Sequence, residues 1–208
     1  MRHSVPSPPV AIVSCHLEQP LRDDTWARYE TLQQRRPGGF DVIALMRPPD
    51  AAYGEDVERW LTRARAVSRR GPFGLHTHWT SPTHARPTGG DPAERVRKEA
   101  EWLRLHELEP AYFCGGGWYS DDAVRSVVHE LGLVDCTERG GLPHPGVLPT
   151  THSLGQLARA VLGPLPEYVH AYFHDYDLLD AKRRLALVTA LSVLGRRRRP
   201  GDARELAR

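Results

Sequence analysis

The chain has 208 residues, a length typical of one domain of ordinary size. Its 28 basic and 26 acidic side chains are interspersed and leave a net charge of only +2, so no broad electrostatic field would draw it onto nucleic acid or a membrane. We therefore expect a single domain over residues 1–208, with a short polar arm at 1–9, a basic tail at 196–208, and neither nucleic acid nor membrane as a partner. The four arginines at 196–199 are typical of a helix end.

The cysteines and the first residues bear on location. Cys15, Cys114 and Cys136 are odd in number and lack C-x-x-C spacing, which argues against a disulfide framework or a structural zinc knuckle. Residues 1–9 are polar and proline-rich without the apolar stretch of a secretion signal, and no apolar run is long enough to span a bilayer. These features predict a cytoplasmic protein.

Seven short runs rich in β-branched or aromatic residues predict strands. They cover residues 10–16, 40–46, 73–78, 111–115, 133–136, 146–150 and 168–174. Six segments with helical periodicity alternate with them, at 24–36, 55–70, 91–107, 120–132, 153–163 and from 177 to about 195. The third helix is the clearest, because Asp91 is a favoured N-cap and Pro92 suits the first helical position.

This alternation of strands and helices predicts parallel strands joined by right-handed crossovers. An open sheet and a barrel are both compatible with it, but no G-x-G-x-x-G loop follows the first strand, which weakens the dinucleotide-binding form of an open sheet. Polar residues lie at or just after strand ends, and in a parallel barrel such residues converge on one mouth. They are His16, Glu18, Arg47, His76, His78, Trp118, Asp135, His152 and His174.

The clearest chemical signal is a pair of histidines at the end of the third strand. His76 and His78 are two residues apart, so both side chains point to the same side of the strand. Two imidazoles on one face can share a divalent metal ion, with zinc as the first choice, and His84 could be a further ligand. In the alternative interpretation, the pair forms hydrogen bonds in a polar barrel mouth and His84 is a solvent-exposed turn residue. His16 has the same two alternatives, a metal ligand or a hydrogen-bonded residue of the mouth.

Taken in order, motifs along nearly the whole chain resemble those of polysaccharide deacetylases. Residues 74–77 resemble the G-x-H-T element of that family, and 110–119 lie where it has a strand ending in a proline- or glycine-rich aromatic loop. Residues 123–132 resemble a helix ending in leucine and glycine, 146–150 the sixth-strand pattern, and 169–174 the last strand with its terminal histidine. The resemblance implies an α/β fold, an incomplete or distorted (β/α)7 barrel, and metal-dependent removal of an N- or O-acetyl group from a sugar.

The resemblance also implies roles for particular residues. In the family, an aspartate and two histidines hold the metal, a second aspartate is the general base, and the last-strand histidine is the general acid. By position, His76 is the first histidine ligand and His174 is the acid. The loop after the fourth strand brings three glycines, including Gly116, before Trp118 and Tyr119, whose rings could stack on a sugar or simply pack in the loop. With two further residues at strand ends, Arg47 and Asp135, they form the expected substrate-binding set.

Two departures from the family pattern affect the chemistry. Leu17 and Glu18 stand in place of the aspartate pair. Glu18 can still act in the site as a metal ligand, whereas Leu17 cannot be a base. The second ligand histidine is replaced by Thr80, so His78 or His84 would have to take its place. We therefore expect His76 and His78 to share one ion with Glu18 or His16.

Three functions remain open from the sequence. The first is a metal-dependent hydrolase acting on an acetylated carbohydrate or small amide, with Glu18 and His174 as catalytic residues. The second is another His-x-His metallohydrolase of amidohydrolase or phosphoesterase type, although those usually carry the motif on the first strand. The third is a non-catalytic relative that binds a glycan, which the loss of the aspartate pair favours.

Overall fold

Strands and helices alternate along the chain. The structure, a computed structural model, describes residues 9–207, so the predicted arm lies outside the described residues except for Pro9. The strands are β1 Val10–Leu17, β2 Val42–Met46, β3 Phe73–Thr77, β4 Tyr112–Gly115, β5 Val134–Asp135, β6 His152–Ser153, β7 Tyr168–His174 and β8 Arg199–Pro200. The helices are α1 Asp23–Arg35, α2 Val57–Ser68, α3 Pro92–Leu105, α4 Asp122–Glu130, α5 Leu154–Ala160, α6 Ala181–Arg197 and α7 Ala203–Leu206.

Every pairing between these strands is parallel. The order across the sheet is β5-β4-β3-β2-β1-β7-β6, and β8 pairs with the start of β1. The sheet curls, with helices on its outer side, and β5 and β6 are its edges. Isolated bridges from Asp135 to Val147 and from Arg139 to Thr150 partly cover the gap between these edges. This architecture confirms the prediction of an incomplete (β/α)7 barrel.

Two apolar clusters lie on opposite faces of the sheet. In β1, Val13 and Cys15 belong to the larger cluster, which joins the sheet to the helices, while Ile12 belongs to the smaller cluster inside the barrel. This division follows from the alternation of side chains along a strand. Ala203 at the start of α7 packs in the inner cluster. Residues on the inner face at the carboxyl ends of the strands therefore meet at one mouth.

Local sequence signals fix the helix that follows the histidine pair. Asp91 caps α3, because its carboxylate accepts a hydrogen bond of 3.1 Å from the backbone N–H of Glu94, and Pro92 occupies the first helical position, as predicted.

No helix within residues 9–207 combines the length and apolar character that a bilayer crossing needs.

The structure corrects one sequence-based prediction. The sixth strand was expected at 146–150, but β6 lies at His152–Ser153 and the earlier segment makes only isolated bridges. Its backbone is committed elsewhere, since Val147 pairs with His144 in a tight turn and Pro149 has no N–H to donate. Within the basic segment, Arg196 and Arg197 form the last turn of α6, as expected for a helix end, and β8 and α7 follow.

Candidate metal and catalytic site

Glu18, directly after β1, lies between the two histidines of β3. Its Oε1 is 3.3 Å from Nε2 of His76, and its Oε2 is 2.9 Å from Nε2 of His78. Both imidazoles are almost fully buried, whereas the Glu18 side chain keeps 20% of its exposure. The three residues form a compact set of possible metal ligands at the barrel mouth.

Hydrogen bonds on the far side of each ring fix which nitrogen carries the proton. Nδ1 of His76 lies 2.9 Å from the carbonyl oxygen of Cys114, and Nδ1 of His78 lies 2.9 Å from that of Pro82. A carbonyl only accepts, so in each ring the proton is on Nδ1. If the ring carries no second proton, its Nε2 lone pair faces a carboxylate, which also only accepts. A cation between these atoms satisfies both the Nε2 lone pair and the Glu18 carboxylate, and so does a second proton on the ring.

The donor set fits a divalent ion. Around a tetrahedral zinc with bonds near 2.1 Å, neighbouring ligand atoms are about 3.4 Å apart, close to the separations between Glu18 and the two rings. Two imidazoles and one carboxylate form a known set for catalytic zinc, with a fourth position left open. The Nδ1–H bonds to carbonyls are the usual outer-shell support of ligand histidines. Nε2 of His78 is buried and has no hydrogen-bond partner among residues 9–207.

Charge in the site favours a cation as well. Burial opposes ionisation of Glu18, but hydrogen bonds and positive charge from His76 and His78, when their rings carry a second proton, outweigh it and hold the pKa of Glu18 well below its usual range. The carboxylate is therefore ionised across the physiological pH range.

A second group of side chains faces Glu18 from the other direction. His16, at the end of β1, is only 2% exposed, and burial lowers its pKa well below the usual value. Its ring centroid is 4.5 Å from that of His76 and 5.0 Å from that of His174. His16, Glu18 and His174 form a further set of possible ligands. A third set combines His16 and His76 with Cys114, but burial raises the pKa of that thiol, which disfavours the thiolate that a metal needs.

His174 ends β7 across the mouth from the histidine pair. Its Nε2 lies 3.7 Å from Oε1 of Glu18, and its Nδ1 lies 4.0 Å from Oδ2 of Asp177, which in turn pairs with Arg183. The ring stacks on Tyr176 with centroids 4.8 Å apart and remains 24% exposed. Burial lowers its pKa, so the resting imidazole is neutral at physiological pH.

Aromatic rings line the rim beside His174. The ring of Trp118 lies 5.3 Å from His16 and 4.7 Å from Tyr172, and the guanidinium of Arg139 lies 5.2 Å from its centre. Tyr172 was not among the expected site residues, although its position two residues before His174 places both on the same face of β7. Asp177, close to the ring of His174, was likewise not among the expected site residues.

Three predicted site residues lie elsewhere or have other contacts. His84 is exposed in a turn that pairs with Ser81 and belongs to none of the ligand sets, so the turn interpretation describes it. The Tyr119 hydroxyl donates to Asp121 at 2.6 Å, and its ring packs on Trp79. Gly116 is closely packed by backbone, because an added Cβ would lie 2.6 Å from the carbonyl oxygen of Thr77. The contacts found for these three residues are within the protein, and their expected ligand and substrate roles stay predictions.

Arg47 and Asp135 are likewise engaged by the protein. The Arg47 guanidinium is buried and pairs with Glu55 at 2.6 and 2.8 Å, while its Nε donates to the Glu18 carbonyl at 3.2 Å. It therefore supports the loop that carries Glu18. Asp135 is 6% exposed and accepts a hydrogen bond from the Thr137 backbone. Both side chains have partners within the protein, Arg47 also lines both cavities beside the site, and their role in sugar binding stays a prediction.

The ligand set is accessible from two adjoining cavities. One, of about 520 Å³, is lined by Glu18, Gln19 and Tyr176 among others. The other, of about 250 Å³, is bordered by His78, Arg95 and Trp102. Glu18 and His78 thus each line open space, which gives a substrate a route to the site.

Known proteins share this architecture at low sequence identity. No family model and no curated protein matches the chain. A wild-type CE4 family pseudoenzyme from Bacillus anthracis is 13% identical, with 98% of this chain and 67% of that chain covered and a TM-score of 0.63. A mutant of that pseudoenzyme with restored enzymatic activity superposes equally well.

Two further structures match over similar lengths. A family 4 carbohydrate esterase from Streptomyces lividans, in complex with acetate, is 14% identical over 93% of this chain and 92% of that chain, with a TM-score of 0.60. The chitin deacetylase of Colletotrichum lindemuthianum is 16% identical over 96% and 91%, with a TM-score of 0.61. At these identities the likeness shows the fold: this chain has the fold of the CE4 polysaccharide deacetylases.

Proposed function

We propose that the protein is a divalent-metal-dependent hydrolase that removes acetyl groups from a sugar or polysaccharide. The observation that supports it best is the set of Glu18, His76 and His78 at the mouth of a deacetylase-like barrel. The tautomers fixed by the Cys114 and Pro82 carbonyls direct two lone pairs and one carboxylate toward a common point. Zinc is the ion that this donor set suits best.

The residues divide into binding and proton-transfer roles. Glu18, His76 and His78 hold the ion, which when bound polarises an acetyl carbonyl and lowers the pKa of water. Leu17, at the position of the family's base, is 1% exposed and apolar. His174, partly exposed at the mouth, is suited to proton transfer. Because its imidazole rests neutral, Nε2 can accept the proton of the attacking water and then donate it to the leaving nitrogen or oxygen.

The rim provides the sugar-binding surface. Trp118 and Tyr172 are half-buried and border the mouth beside His174, and Tyr176 stacks on His174 from the solvent side. Aromatic rings in such positions can pack against the apolar face of a sugar ring. Asp177 acts as a positioning residue, since its Oδ2 accepts a 3.0 Å hydrogen bond from the His174 backbone N–H and lies 4.0 Å from Nδ1 of the ring.

The test is acetate release from two substrates, an N-acetylglucosamine oligomer and an O-acetylated sugar. The full chain is assayed after treatment with a chelator and again after addition of zinc or cobalt. We expect release with the ion and loss of it without. Absence of acetate from both substrates with a fully loaded protein would overturn the proposal.

A second candidate is a glycan-binding protein without catalysis. The apolar Leu17 at the base position favours it, and one structural neighbour is described as a pseudoenzyme. This function predicts binding of the same oligomer in calorimetry, with no acetate formed over long incubation.

A further inference from the structure

Two of the ligand sets share Glu18 and no other residue. One comprises Glu18, His76 and His78, and the other Glu18, His16 and His174; within each set, one ligand atom per residue lies within 4.8 Å of the rest. No set among residues 9–207 contains His174 together with His76 or His78. One ion bound by the histidine pair therefore leaves the His16 and His174 side unfilled.

The carboxylate of Glu18 is oriented to serve both sets. Oε2 faces His78, and Oε1 lies 3.3 Å from Nε2 of His76 and 3.7 Å from Nε2 of His174. Carboxylates commonly bridge two metal ions that lie about 3.5–4 Å apart. The two oxygens of Glu18 face both ligand sets, as a carboxylate that bridges two ions would.

His16 adds an independent observation. Its Nε2 is buried and has no hydrogen-bond partner in the part of the chain that the structure describes, although the ring is enclosed by His76, Trp118, Tyr172 and His174. Buried polar nitrogens without partners are rare because desolvation is unfavourable. By contrast, the interior His170 has a partner for each nitrogen, Leu148 and Ser14. The His16 ring is placed as a ligand would be.

We propose that His16, Glu18 and His174 form a second site for a divalent cation, and that its occupancy inhibits the enzyme. The inference rests on the proposed function, because inhibition follows from capture of Nε2 of His174, the atom assigned to proton transfer. The second ion binds more weakly than the first, since two dications sharing one carboxylate repel each other. The site therefore fills only at excess metal.

The experiment is a zinc chloride titration of the full chain after removal of metal by a chelator. Calorimetry and metal analysis after equilibrium dialysis give the number of ions per chain. We expect two for the wild type, the second at least about tenfold weaker, as the repulsion requires, and one for His16→Gln and for His174→Gln. His84→Gln, in an exposed turn outside the sets, is the matched control and should retain two. His174 is partly exposed, so its variant tests the site even if the buried His16→Gln fails to fold.

Activity provides the second readout. Acetate release by the wild type should rise with the first equivalent of zinc and fall as the second site fills, whereas His16→Gln should rise without the fall. The inference is overturned if the wild type binds only one ion at saturation, or binds two ions with no loss of activity. In either case, acetate release with the first ion would still support the proposed function. A protein that binds no ion contradicts both.

Discussion

Nε2 of His78 lies 2.9 Å from Oε2 of Glu18, yet these atoms do not form a hydrogen bond. Nδ1 of the ring donates to the Pro82 carbonyl, so Nε2 meets the carboxylate in a buried place, where either a second proton on the ring or a bound cation has to lie between the two atoms. His170 differs, because Ser14 and Leu148 satisfy both of its nitrogens. This contrast separates a histidine placed for a ligand from one that fills the barrel interior.

Replacing His78 by Gln should weaken binding of the first zinc ion by at least about 100-fold, since even outer-shell changes cost 10–100-fold. Competition with a chromogenic chelator measures the affinity. His144→Gln, at an exposed position beside Glu138, is the control and should bind like the wild type. Equal affinities for both variants would remove His78 from the site.

His174→Ala should lower turnover by about 100-fold or more, the usual contribution of a positioned acid or base. The affinity for the first zinc ion should change little, because His174 lies outside the set of Glu18, His76 and His78. The melting temperature should also change little, because the side chain is partly exposed. Metal content, thermal unfolding and acetate release are measured on the same preparation. A merely structural histidine would give the reverse, with lower stability and unchanged turnover per folded molecule.

Trp118→Ala should raise KM for an N-acetylglucosamine oligomer by about tenfold, the equivalent of one aromatic contact of roughly 1.4 kcal/mol, with a smaller effect on kcat. Trp118→Phe should recover part of the loss. Tyr53→Ala removes an exposed ring from the surface and should leave KM unchanged. If Trp118 only packs in its loop, the alanine variant will instead melt earlier with the same KM.

His170 should make stability depend on pH. Burial lowers its pKa from 6.5 to about 4, so between these values the unfolded chain binds more protons than the folded one. The stabilisation is present above pH 6.5 and decreases as the pH falls toward 4, by roughly 3 kcal/mol in all. The His170→Asn variant has no titrating group at this position, so it lacks this pH-dependent contribution to the free energy of unfolding. The difference in free energy of unfolding between wild type and variant should therefore shrink from pH 7.5 to pH 4 in urea titrations, and a constant difference would show that His170 does not titrate as inferred.

The fold could largely be predicted because its signals are local. Alternating apolar runs, the Asp91 cap and Pro92 identify strands and helices, and polar residues at strand ends locate the mouth. The sixth strand was misplaced because Pro149 and the turn at His144 interrupt its backbone pairing, which an apolar pattern does not reveal. The two-residue β6 is too short to give a periodic signal.

The site could be predicted only in part. The spacing of His76 and His78 places both on one face, but it does not show that Pro82 and Cys114 fix their tautomers. Arg47 is a charged residue at a strand end, as a substrate-binding residue would be. Only the structure shows that it pairs with Glu55. The fold decides such roles through contacts that range from Pro82, four residues after His78, to Cys114, 38 residues after His76, and spacing alone does not show which of these contacts form.

The most direct test of the account is the anomalous diffraction of crystals grown with one equivalent of zinc per chain. We expect a single strong peak at the zinc edge, about 2.0–2.2 Å from Nε2 of His76, Nε2 of His78 and an oxygen of Glu18, as for ordinary zinc ligands. A crystal of the zinc-loaded protein with no peak among these three side chains, or with its peak at other residues, would contradict the metal site on which the proposed function depends.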